Sequence, residues 1–90
     1  MQELNYSKSK LLHHLVIRVA KSNSVFVYFT LESNEGLCFY STLDESLETL
    51  YRDIDLTVTP EFYENLIQLL ASLQKLFTLE IILDEVKSDI

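Results

Sequence analysis

Residues 51–58 read YRDIDLTV, and Thr59 and Pro60 behind them open a run of leucines. The first stretch alternates Ile54, Leu56 and Val58 against Asp53, Asp55 and Thr57, which is the period of a strand. A strand with carboxylates along one side belongs to a sheet with one face covered and the other in water. The leucine run has helical spacing instead: Phe62, Leu66, Leu69, Leu70 and Leu73 recur at intervals of three and four. Thr59 suits the N-cap, Pro60 the first helical position, and Glu61 and Glu64 the positive end of the helix dipole. The pattern predicts a helix over about residues 60–76, with Lys75 near its negative end, lying on the apolar face of the sheet.

Three further strands are expected. In LLHHLVIRV, Leu15, Ile17 and Val19 share one face and His14, Val16 and Arg18 the other. In LCFYSTL, Leu37, Phe39 and Leu43 alternate against Cys38, Tyr40 and Thr42, and DESLET then breaks the pattern. TLEIILDEV closes the chain with Leu79, Ile81 and Leu83 on one face. Ninety residues make one domain with one core. Its bounds are read as 11–86, between a polar N-terminus at 1–10 and a short tail at 87–90.

The segment that decides the topology is VFVYFTL at residues 25–31. β-branched and aromatic residues favour a strand, and Gly36 in ESNEG could turn a hairpin. Yet Ser22 or Ser24 can cap a helix, Val25 and Phe29 are one turn apart, and Asn34 or Gly36 can end it. One glycine and one proline in the whole chain also leave few tight turns for an all-strand arrangement. With a helix here the order is βαββαβ, a ferredoxin-like antiparallel sheet with two helices on one face. With a strand it is a four-stranded meander followed by one helix and a fifth strand.

The stretch FTLESNEGLCFYSTLD, set between a strand ending at Val19 and the proline-initiated leucine helix, resembles an uncharacterised family of small bacterial domains. In that family a helix ends in an acidic residue shortly before a glycine, and the next strand ends in a Thr-Leu-Asp-like turn. Glu32, Gly36, Thr42, Leu43 and Asp44 match, as do Pro60 and the helical leucines, so the likeness spans roughly residues 11–76. The resemblance implies an ACT-like, ferredoxin-like fold and a helix over 22–33, and it brings no catalytic residues. SNSVFVYF departs from the family's charged, alanine-rich helices.

Charge narrows the partners. Residues 1–42 carry four Lys/Arg against three acids, and residues 43–90 three against eleven. An acidic second half repels phosphate backbones and argues against nucleic acid. Cys38 is the single cysteine, so no internal disulfide forms and a reducing, cytoplasmic location is expected. MQELNYSKSK has no apolar segment of the secretory kind, and no run approaches the roughly 20 apolar residues of a membrane span.

The residues that could carry chemistry are few. His13 and His14 are neighbours on a strand, point to opposite faces and cannot chelate one ion. Asp53 and Asp55 share the open face, where a solvated pair is the commoner meaning of such spacing, with Arg18 within reach across the sheet. No G-x-S-x-G elbow or glycine-rich phosphate loop is present. AKSNSV lacks the glycines and arginine of an acylphosphatase loop, and an RNA-recognition domain needs aromatic and basic residues on the open face, where this chain would carry Asp53, Asp55, Glu80 and Asp84. No cofactor or metal is expected. The expected function is a non-catalytic interaction or regulatory domain working by homodimerisation or a protein partner, through an open face of Val16, Arg18, Tyr40, Asp53, Asp55 and Ile82. An amino-acid sensor, suggested by the ACT-like resemblance, is the alternative, and a small hydrolase is third.

Overall fold

The structure, a computed structural model, describes residues 11–43 and 50–88. The expectations for residues 1–10, for the DESLET break and for Asp44 lie outside those residues. The order of elements is β1 (Leu11–Ala20), α1 (Lys21–Ser33), β2 (Phe39–Thr42), β3 (Tyr51–Val58), α2 (Pro60–Gln74) and β4 (Leu79–Ser88). The four strands form one sheet in the order β2-β3-β1-β4, with every neighbouring pair antiparallel. Both helices lie on the same face, because Val27 and Leu31 from α1 and Leu66, Leu70 and Leu73 from α2 join one core with Leu15, Ile17, Val19, Ile54, Leu56 and Val58. Each such side chain removed from water contributes about 1.5–3 kcal/mol before conformational entropy is subtracted.

The meander is excluded, since residues 21–33 are helical. The helix has little local support. Ala20 occupies the N-cap and makes no side-chain cap, and the first and last turns hold no charge complementary to the dipole. Neither Ser22 nor Ser24 caps it; Ser24 is buried and donates to the carbonyl of Lys21 at 2.8 Å. What holds it is packing of Val27 and Leu31 on the sheet. Its C-terminus follows expectation: Asn34 is the C-cap, and Gly36 takes the left-handed conformation at φ 84°.

α2 begins at Pro60 as predicted and ends at Gln74, two residues short of the expectation. Thr59 sits at the N-cap without a side-chain hydrogen bond, and its carbonyl accepts the Phe62 N–H at 3.1 Å. Leu66, Leu70 and Leu73 are buried, whereas Phe62 at the head of the expected stripe is exposed.

Two strands differ from their expected phase. In β2, Tyr40 lies opposite Leu56 and so faces the helices, while Phe39, opposite Thr57, is 81% exposed on the open face. Tyr40 is held there by stacking on Tyr28 and by donating to Glu32 at 2.5 Å. In β4 a bulge lies between the pairs Val16↔Leu83 and Ile17↔Ile81, with Ile82 as the extra residue. Leu79 and Ile81 face the helices as expected, but the bulge moves Leu83 to the open face and Asp84 to the helix face. β4 also runs to Ser88, so residues 87 and 88 belong to the strand and not to a tail.

Candidate functional site

The open face of the sheet gathers most of the polar side chains singled out in the sequence. β1 is the inner strand between β3 and β4, and its even-numbered residues point away from the helices. Arg18 faces Asp53 across β3 and Glu80 across β4. Its guanidinium makes two parallel hydrogen bonds to Asp53, Nε to Oδ1 at 2.8 Å and Nη2 to Oδ2 at 2.9 Å. The plane also lies 4.3 Å from the centre of the Tyr51 ring. These bonds hold the Arg18 pKa well above its ordinary value. The expected reach of Arg18 to the aspartate pair is therefore realised at Asp53.

Two positions nearer the start of β1, His14 makes a second set of contacts. Its Nε2 meets Asp55 on β3 and its Nδ1 lies 3.2 Å from Glu85 on β4. A carboxylate can only accept, so only a ring carrying both protons donates to both neighbours. The four acids Asp53, Asp55, Glu80 and Glu85 thus surround two nitrogen-bearing groups on one strand. Val16 lies between Arg18 and His14 and is only 7% exposed even on this face.

Of the six residues proposed for an open-face surface, Val16, Arg18, Asp53 and Asp55 lie together there. Tyr40 does not, because β2 has the opposite phase. Ile82 sits at the bulge with no residue opposite it, half exposed on the edge strand. Glu85 is the member that sequence reasoning missed: without the bulge, alternation from Ile81 assigns Asp84 to this face in its place. The ring of His13 points to the helix side and stacks on Tyr63 at 3.9 Å, so the two histidines are separated by the sheet as expected. Its Nδ1 is buried without a hydrogen-bond partner.

Among the described residues two clefts lie away from that cluster, one on the helix side and one that passes round the end of the sheet. The larger, of about 550 Å³, lies where the end of α1 meets the start of α2 and is bordered by Asn34, Glu35, Leu37, Phe62, Asn65 and Gln68. The smaller, of about 210 Å³, shares Leu37 and Phe62 with it and is bordered by Cys38, Val58 and Thr59 and by Leu12, Phe39 and Thr57 of the open face. Burial pushes the Cys38 thiol up to about 11, the opposite of what an activated nucleophile needs. Among the described residues no group of three or more His, Cys, Asp or Glu is placed to hold a metal ion, and no helix is long and apolar enough to cross a membrane. No protein-family model, curated protein or solved structure matches the chain.

Proposed function

We propose that the chain is a ferredoxin-like interaction domain, non-catalytic, acting through a second copy or a protein partner. The order of elements and the strand order β2-β3-β1-β4 support the ferredoxin-like reading and the kinship with ACT-like domains. The observation that carries the function is uncovered apolar surface. Val25 and Phe29 on α1 are 73% and 68% exposed, and Phe39 on the open face more so. A domain of this size gains much by covering such groups. On the open face, His14 and Arg18 are already engaged by carboxylates, and the larger cleft lies on the other side of the sheet. Sedimentation velocity at micromolar concentration tests the reading: it predicts mass above the 10.5 kDa monomer, alone or with a retained protein. A lone monomer that retains no protein on affinity capture refutes it.

A second reading, a sensor of a small molecule such as an amino acid, draws on the cleft between the helix ends, where carboxamides and Glu35 border apolar Leu37 and Phe62. A thermal-shift screen of amino acids and nucleotides tests it, and the absence of any stabilising compound discards it.

A further inference from the structure

We infer that the outer face of α1 is where a second copy of this chain docks, with the two α1 helices side by side and antiparallel. The inference rests on the reading of the domain as one that acts through contacts, and it names the partner and the surface. At 100° per residue, Ser22, Val25, Phe26, Phe29 and Ser33 fall within an arc of about 100°. Val27 and Leu31 lie on the opposite side of the helix and are buried on the sheet. α1 is therefore apolar on both sides, which is the pattern of a helix covered on both sides. Among the described residues Phe26 makes an edge contact with Phe77, at 6.2 Å between ring centres.

The stripe is self-complementary. Laid antiparallel on itself, it sets Ser22 against Ser33 and Phe26 against Phe29, so small residues close both ends and aromatic rings fill the middle. Lys21 and Glu32 lie on the same edge of the stripe, about three turns apart. A two-fold axis normal to the two helices keeps that edge on one side of the dimer, so Lys21 of each copy meets Glu32 of the other. The charges that fail to complement the dipole within one helix complement the partner instead. Two such faces bury on the order of 1,000 Å² together, where specific interfaces begin.

The other exposed surfaces suit a second copy less well. On the open sheet face Asp53, Asp55, Glu80 and Glu85 outnumber the cations Arg18 and Lys87, so face-to-face packing brings carboxylates together. The β4 edge carries a bulge, Asp84 and Lys87, features that discourage strand addition.

Sedimentation equilibrium of the full chain and five variants is the test. Wild type is expected at twice 10.5 kDa at micromolar concentration, and Phe29→Glu at the monomer mass with its helical circular dichroism retained. Lys21→Glu and Glu32→Lys should each weaken association about tenfold, through two lost pairs and two new repulsions. The double variant Lys21→Glu/Glu32→Lys should recover to within about threefold of wild type. Both single changes improve the charge complement of the dipole, but Glu32→Lys also removes the acceptor of the Tyr40 hydroxyl, so Lys21→Glu carries the single-variant test and the urea midpoint of each Glu32→Lys protein is read beside its mass. If Phe29→Glu does not fold, the charge exchange decides by itself. A monomeric wild type, or a double variant that fails to recover, overturns the inference. A dimer that survives Phe29→Glu and is lost in Leu83→Glu overturns it while leaving the interaction reading intact.

Discussion

Tyr63 on α2 donates a 2.6 Å hydrogen bond to Asp84 on β4. The contact exists because the bulge at Ile82 turns Asp84 to the helix side; strict alternation from Leu79 and Ile81 would put Leu83 there. Deleting Ile82 removes the extra residue and leaves every other side chain of β4 on its present face. The deletion should fold, with stability within about 1 kcal/mol of wild type. It should also pair more readily at its edge, since the kink that blunts the strand is gone. Urea unfolding checks the first expectation and light scattering the second.

Stability should fall on the alkaline side. The Tyr40 and Tyr63 hydroxyls are raised above their ordinary pKa, chiefly by donating to Glu32 and Asp84, and Cys38 is raised from 9.0 to about 11 by burial. Each group is an acid whose neutral form the folded state favours. Its contribution is complete below the unfolded-state pKa and is lost as pH rises through the folded-state value. The urea midpoint should therefore decline as pH climbs from about 9 towards 11. In Cys38→Ala/Tyr63→Phe the decline should be shallower.

Cys38 should react slowly with thiol reagents. Raising a thiol from 9.0 to about 11 lowers the thiolate fraction at neutral pH about a hundredfold. Labelling by a disulfide reagent should lag behind a free cysteine by that factor or more and match it in urea. Labelling at the free rate in native buffer refutes the account of a sheltered, unactivated thiol.

The parts of the fold legible in the sequence are those where only one phase satisfies the pattern. YRDIDLTV has acids at 53 and 55 on either side of Ile54, so Ile54 and Leu56 had to face inward, and Pro60 leaves little freedom over where α2 begins. In β2 the neighbours Phe39 and Tyr40 offer either phase; pairing of Tyr40 with Leu56 decides it, together with a hydroxyl that reaches Glu32. In β4 the run Ile81, Ile82, Leu83 tolerates a shift of one residue at no loss of apolarity, so the bulge left no local trace. That shift is also why the contact of Arg18 with Asp53 could be anticipated and that of His14 with Glu85 could not.

Gly36 has φ 84°, and nothing lies within 4 Å of where a Cβ would stand. Any cost of substitution is thus backbone strain and not a clash. Gly36→Ala should lose about 1–2 kcal/mol, while Gly36→Asn loses less, because asparagine enters the left-handed region more easily. Urea midpoints that rank Gly above Asn above Ala support this; equal midpoints for Asn and Ala refute it.

α1 makes the most telling stability series, because the sign of one substitution depends on concentration. Leu31 is buried, and Leu31→Ala should cost about 2–5 kcal/mol at any concentration. Phe29 is 68% exposed, and alanine is the better helix former by about 0.5 kcal/mol. In dilute solution, where copies are apart, Phe29→Ala should therefore stabilise the domain by a few tenths of a kcal/mol. In the dimer proposed above, the same change removes a contact made only between copies. The wild-type melting temperature then rises with protein concentration while that of Phe29→Ala does not, and the two curves cross. Scans over a hundredfold concentration range measure this, and parallel curves would leave the outer face of α1 with no role in stability.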